Sequence, residues 1–241
     1  MFGTWKRAAL CSFVLGLMLA IGAPARADGT KIKGDGDLVK VVHVFKRAKP
    51  TGGGGGAKPA TGYKLAPWKW NVSVLQYTVY TSSAVAAGLD ATATVASLQN
   101  GFIAWSAENS NAPSTASHPN ASATLPDVDV MDEENSILWA PLSDANTIAV
   151  TTTWYYTRGI YKGLAAEFDM VFNTNFDWSN SGAADKMDVQ NITTHEAGHA
   201  LGLDHSSASA DLTMYPYASE GETKKRTLEA GDIAGIKARY P

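Results

Sequence analysis

The sequence predicts an α+β domain, and three observations carry that expectation. Segments rich in aromatic and β-branched residues recur at 70–80, 136–140, 147–155 and 166–172. They have strand length, and in the last Phe168, Met170 and Phe172 alternate with Glu167, Asp169 and Val171. Residues 89–106 set Val95, Leu98, Phe102 and Trp105 at steps of three and four, the spacing of an amphipathic helix packed on a sheet. The third is the stretch Thr194-His195-Glu196-Ala197-Gly198-His199-Ala200-Leu201-Gly202-Leu203-Asp204-His205-Ser206, which reads as a helix followed by a turn.

Taken in order, 1–27 reads as a signal peptide. Lys6 and Arg7 charge its start, 8–23 are largely apolar, and Ala25-Arg26-Ala27 offers a small-x-small cleavage pattern. The apolar run is short for a membrane span and closes on Pro24 and Arg26. Cys11 is the single cysteine, so the chain left after cleavage forms no disulfide and rests on its core and on metals. Residues 28–60 form a leader with a strand-like piece at 38–45 and five glycines at 52–56, a flexible joint by composition. Two readings stay open: a short pro-segment that lies in a cleft, or an uninvolved extension. The basic run at 40–49 reads as a solvated strand or tail, and His43 within it as a surface residue rather than one that touches a metal in a latent form.

The domain proper spans 61–241. Residues 108–124, rich in Asn, Ser, Pro and Ala, read as loop with His118 exposed. A second loop covers 173–186. Asp177, Asp185 and Asp188 offer oxygens of the kind Ca²⁺ takes, but no spacing matches a calcium loop, so solvated carboxylates are expected. Asp188 suits the N-cap of a helix over 189–201, with Val189, Ile192, Ala200 and Leu203 facing the core. Gly198 inside that helix costs about 1 kcal/mol relative to alanine, which suggests that close packing requires it. A last helix over 227–239 packs through Leu228, Ile233 and Ile236.

The central stretch carries the chemistry. It reads H-E-x-x-H-x-x-G-x-x-H and uses three of the five histidines. His195 and His199 fall on one helix face, one turn apart, so two imidazoles can hold one Zn²⁺. Gly202 takes the left-handed conformation that ends a helix, which turns His205 back as a third ligand. Three protein ligands and an open position form a catalytic zinc pattern. Glu196 is placed to reach a metal-bound water without ligating the metal, as the general base. A zinc held only for the fold of a surface-binding protein would have no use for that carboxylate.

Leu212-Thr213-Met214-Tyr215-Pro216-Tyr217 follows. Together the two stretches resemble the metzincin metallopeptidases, whose zinc motif precedes a turn carrying Met beneath the metal. Ser206 after the third histidine, the Met-Tyr-Pro turn and the 228–236 stretch look most like the matrixins, the family of the matrix metalloproteinases. The resemblance runs from about residue 62 to the end. It implies a secreted zinc endopeptidase and a twisted, mostly parallel sheet whose edge strand, 147–155, borders the cleft. It also implies a zinc helix below that cleft and a small irregular C-terminal part, with Gly202 and Met214 supporting the site. Two departures stand out. No cysteine outside the signal region is available to hold zinc in a latent form, and Ala218 stands where the specificity-pocket wall of the family has tyrosine. Outside the motif only His43 and His118 remain for a second, structural zinc.

The balance of charge excludes other classes. With a formal charge of −3 and 18% charged residues, the chain has no basic field for nucleic acid. The expected partners are protein or peptide substrates, for a monomer with no stable membrane insertion once the signal is removed.

Overall fold

A computed structural model describes residues 30–33, 38–48 and 60–241, with side chains described outside 30–33. The signal peptide, the glycine run and the rest of the leader lie outside the described residues. In chain order the elements begin with β1 (Thr30–Lys33), β2 (Leu38–Arg47), β3 (Lys64–Leu65), β4 (Val74–Tyr80), α1 (Thr81–Ala86), α2 (Ala91–Glu108) and β5 (Ser114–Asn120). There follow β6 (Ser136–Ala140), β7 (Thr147–Tyr156), β8 (Ala165–Asn173), β9 (Trp178–Ser179), β10 (Met187–Asp188) and α3 (Val189–Ala200). The chain closes with β11 (Leu203–Asp204), β12 (Tyr217–Ala218), a 3-10 turn (Lys224–Arg226) and α4 (Ala230–Arg239). Among the described residues no helix is long and apolar enough to cross a membrane.

The main sheet runs β1-β2-β7-β8-β6-β4-β5, with β12 also paired to β2. Its β8-β6-β4-β5 part is parallel, and β7 is antiparallel to β8. The strands 136–140, 147–155 and 166–172 therefore form as expected, each within a residue of the predicted ends. β7 is also the border of the sheet built by residues 61–241. Next to it comes the leader's β2, which pairs antiparallel with β7 from Leu38↔Tyr156 to Lys46↔Thr147 and carries β12 on its other side.

Three expectations are corrected. Residues 114–120 are not loop: β5 pairs in register with β4 from Val74↔Ser114 to Tyr80↔Asn120. Its Asn, Ser and Pro composition hid it because an edge strand needs only one row of backbone bonds, and Pro119 costs nothing there. His118 is exposed as expected. The basic run is not a solvated tail, because β2 is built into the sheet. Lys40 is buried against Asp129, with Nζ 2.6 Å from the carboxylate. His43 is not a surface residue either; it is 3% exposed.

One apolar core joins the sheet to α2 and α3, with Leu98, Phe102 and Trp105 of α2 fully buried against Ile192, Ala197 and Ala200 of α3. Asp90 caps α2 by accepting from the Ala93 N–H at 2.8 Å. Gly101, mid-helix, is where α2 meets α3: a Cβ there would stand 2.7 Å from the Thr193 methyl. α4 opens on a reciprocal cap between Glu229 and Asp232. It docks through Ile236, while Leu228 is partly buried and Ile233 only half-buried.

Candidate active site

α3 positions the site, and tertiary contacts hold α3. All of its residues but Gln190 are buried. Asp188 caps it, its Oδ1 accepting from the Asn191 N–H at 2.8 Å. The same carboxylate receives a bidentate pair from Arg226, at 2.8 and 2.6 Å. Asp188 is thus committed to the helix and the 3-10 turn rather than to a calcium ion. At the other end the helix carbonyls meet side chains: Trp70 Nε1 donates to Ala200 O at 2.8 Å and Tyr240 to Leu201 O at 3.0 Å. Gly202 has φ +93, and a Cβ there would collide with Trp68 O. Only glycine makes this turn, which carries β11 back and presents His205.

The turn brings the three histidines together. The Nε2 atoms of His195, His199 and His205 stand 3.1 Å apart pairwise. A triangle of that edge has its corners about 1.8 Å from its centre, so an ion about 2.0–2.1 Å from each nitrogen sits about 1 Å off their plane with one side open. His195 Nδ1 lies 2.6 Å from Thr213 O and His199 Nδ1 3.0 Å from Leu203 O. A proton on each Nδ1 then donates to a carbonyl, which leaves Nε2 as a lone pair directed at the common point. Burial first, and neighbouring imidazoles after it, hold His195 and His199 well below the ordinary histidine range, hence neutral. Two buried lone pairs directed at a common point, with the Nε2 of His205 converging on it, fit a cation. Among the described residues, this triad is the one group of three or more candidate ligands.

Glu196 lies on the same helix, fully buried, with Oε2 2.5 Å from the Thr151 hydroxyl of β7 and Oε1 without a hydrogen-bond partner. Burial pushes its carboxyl up to about 8, against the opposing hydrogen bond from Thr151. Below the triad, Met214 is 2% exposed and its sulfur meets the bare Cα of Gly198. A Cβ at Gly198 would collide with that sulfur and stand 2.7 Å from Trp105 Cζ2. The small residue expected in the zinc helix is therefore a packing requirement. The Met214 turn is held by Asp232, whose carboxylate accepts from the N–H groups of Thr213 at 2.8 Å and Met214 at 3.1 Å.

Above the triad runs a groove walled by β7 on one side and β12 on the other, and β2 fills it. His43 stacks on His199 with ring centroids 4.0 Å apart, and Phe45 stacks on His195 at 3.7 Å. Phe45 is 0% exposed, and buried Lys225 places Nζ 5.9 Å from its ring. Lys225 is paired with Glu222 and donates to Tyr217 O at 3.1 Å. Thr151, Asp232, Lys225 and Arg226 escaped the sequence reading: three act through partners remote in the chain, and Lys225, though paired locally with Glu222, is buried beside the remote ring of Phe45. Only Asp232 left a trace, as the third residue after the Glu229 cap.

Two buried histidines on an H-E-x-x-H helix, a third brought to them by a glycine turn and a methionine packed beneath define a metzincin-type metallopeptidase site. Residues 69–241 match the family model described as Matrixin, and the chain belongs to that family, one of zinc metalloendopeptidases. Karilysin of Tannerella forsythia is 29% identical over 187 residues, covering 76% of this chain and 36% of karilysin. Human neutrophil collagenase is 39% identical over 72 residues, 30% of this chain and 15% of the collagenase. Rat matrilysin is 43% identical over 49 residues, 20% of this chain and 18% of matrilysin. The matches thus cover little more than a third of each relative at most.

Proposed function

We propose that this protein is a secreted zinc endopeptidase that hydrolyses peptide bonds in proteins, with residues 1–27 directing export and 28–60 serving as a pro-segment. The observation that carries the reading is the convergence of three imidazoles, two on one buried helix with the Glu196 carboxylate and the third returned by the Gly202 turn, beneath a groove that already takes an extended chain. His195, His199 and His205 would hold the zinc, which supplies a Lewis acid that polarises the scissile carbonyl and lowers the pKa of water toward about 7.

The chain's own residues do the rest. β7 and β12 bind an extended substrate through main-chain hydrogen bonds, as a strand added to a sheet edge. Glu196, which a cation held by the triad would favour as the carboxylate against the effect of burial, takes a proton from the attacking water on Oε1, the oxygen not engaged by Thr151, and passes it to the leaving nitrogen. Thr151 holds Oε2 and so fixes the carboxylate's orientation. Asp232, through the Met214 turn, and Gly198, through contact with the same methionine, keep the floor of the site in register. While β2 fills the groove, no other chain pairs with β7.

The test is cleavage of casein by the secreted protein after removal of the leader, with and without a chelator, beside Glu196→Ala. Chelator-sensitive cleavage, lost in a variant that still retains one zinc per chain, supports the reading. Zinc binding without any cleavage would leave zinc a purely structural role.

A further inference from the structure

From the way β2 lies in the groove, we infer that the leader is the enzyme's own first substrate and that the bond presented for cleavage is Val44–Phe45. The inference rests on the endopeptidase reading above and goes beyond it by naming a bond and the side chain that anchors it.

Direction comes first. β2 runs antiparallel to β7 and parallel to β12, where Tyr217 and Ala218 pair with Lys46 and Arg47. It therefore bonds to both walls at once. The Lys46 N–H donates to Pro216 O at 3.3 Å and the Ala48 N–H to Ala218 O at 2.7 Å, while the Arg47 N–H between them donates to Asn146 O, next to β7, at 2.8 Å. This is the two-sided pairing that a polypeptide substrate would use.

Register follows from alternation. Along an extended strand the backbone groups of successive residues face opposite sides. The register shift between Phe45 and Lys46 leaves out Ile148, a residue of β7, so the alternation along β2 is unbroken. Residues 46 and 48 face the β12 side, so the Val44 carbonyl faces that side too, away from β7. The flanking rings locate it further: His43 rests on His199 and Phe45 on His195. Val44, half-buried between them, spans the two ligands with its own side chain turned the other way. Phe45 then fills a closed pocket beside the triad. The groove accordingly takes a large aromatic side chain on the C-terminal side of the cut bond.

The reaction balances with water alone. Its oxygen bonds to the Val44 carbonyl carbon, the bond to the Phe45 nitrogen breaks, and Glu196 carries a proton from the water to that nitrogen. Val44 becomes a carboxylate and Phe45 a new N-terminus, and the segment ending at residue 44 is free to leave β7.

The experiment uses the full chain, prepared with chelator and then given zinc, with the products read by intact mass. The expected result is a new N-terminus at Phe45, formed at a rate independent of protein concentration. Phe45→Gly should slow that cut by about thirtyfold or more through loss of the buried ring, while Phe45→Tyr retains it. A second readout does not depend on turnover. In the full-length Glu196→Ala chain, the amides of 147–156 should resist hydrogen exchange, and Phe45→Gly in that background should speed their exchange at least tenfold. Processing that occurs only elsewhere, or only between molecules, overturns the inference. Casein cleavage with Val44–Phe45 intact also overturns it and leaves the endopeptidase reading standing. Cleavage of neither substrate overturns both.

Discussion

Replacing Gly198 by alanine sets two effects of opposite sign against each other. Alanine in a helix interior gains about 1 kcal/mol over glycine. Here, however, the added methyl lands on the Met214 sulfur and 2.7 Å from Trp105 Cζ2, and both neighbours are almost fully buried. Overpacking a closed core by one methyl costs typically about 1–3 kcal/mol. Trp105 is further pinned by its Nε1 bond to Thr194 O at 2.8 Å, which puts the cost at the upper end. The expected net effect of Gly198→Ala is a loss of about 1–2 kcal/mol, or roughly 3–6 °C in Tm for a domain of this size. Thermal and urea unfolding would be followed in the Glu196→Ala background, so that self-digestion does not intervene. Met214→Ala supplies the control. It is destabilising alone, but in its presence Gly198→Ala should cost at least about 1 kcal/mol less, a coupling that a double-mutant cycle isolates. If Gly198→Ala proved as stable as the parent, the contact would be soft and the packing argument wrong.

Asp188→Asn keeps the capping oxygen but loses the charge paired with Arg226, so it should cost about 1.5–3 kcal/mol, and Asp188→Ala about 1 kcal/mol more; equal losses in urea unfolding would show that the cap contributes nothing. Burial raises the carboxyl of Glu167 to about 7 and that of Asp169 to about 9, from ordinary values of 4.5 and 3.8. The fold therefore retains protons that the unfolded chain has lost, and stability from this pair falls as pH rises from about 5 to 9. Asp169→Asn, which preserves the acceptor for the Ser136 N–H, should flatten the slope of Tm against pH over that range. An unchanged slope would refute the assignment. Zinc at a thousandfold excess over its Kd should add about 4 kcal/mol of stability. A chelator should remove that increment without altering the far-ultraviolet circular dichroism, since the core that packs α3 is protein throughout.

What could be read from the sequence depended on whether the responsible interactions are local. The ends of α3 were legible because both are set by adjacent residues, the Asp188 cap and the Gly202 turn. The triad was legible because its spacing is a helical turn plus a glycine-enforced reversal. β6, β7 and β8 announced themselves by β-branched and aromatic content at buried positions. β5 did not, being an edge with exposed polar side chains, and α1 is a single short turn of mixed residues. The leader was legible in part: a strand at 38–45 was expected, whereas the burial of its basic run and of His43 was not. Nothing in 38–47 distinguishes a strand destined for a groove from one left in solvent, because the partners of Lys40, His43 and Phe45 lie in 129, 199 and 195. Asp232 and Lys225 were invisible for the same reason. A carboxylate near a helix start and a lysine in a polar turn look like surface residues until their partners are found.

The enclosure of α3 bears on how the protein comes into being. Its sequence, with paired threonines, two histidines and a glycine, is a poor helix former in isolation. Apart from the Asp188 cap, the groups that hold it come from remote segments: Trp70 and Trp105 from before it, Arg226 and Tyr240 from after it. Such a segment has no reason to be ordered until those regions have met. Its amides should then exchange with solvent only when the whole domain opens, as the slowest set in the molecule. Metal capture would belong to the last stage of maturation, after the polypeptide is complete and packed.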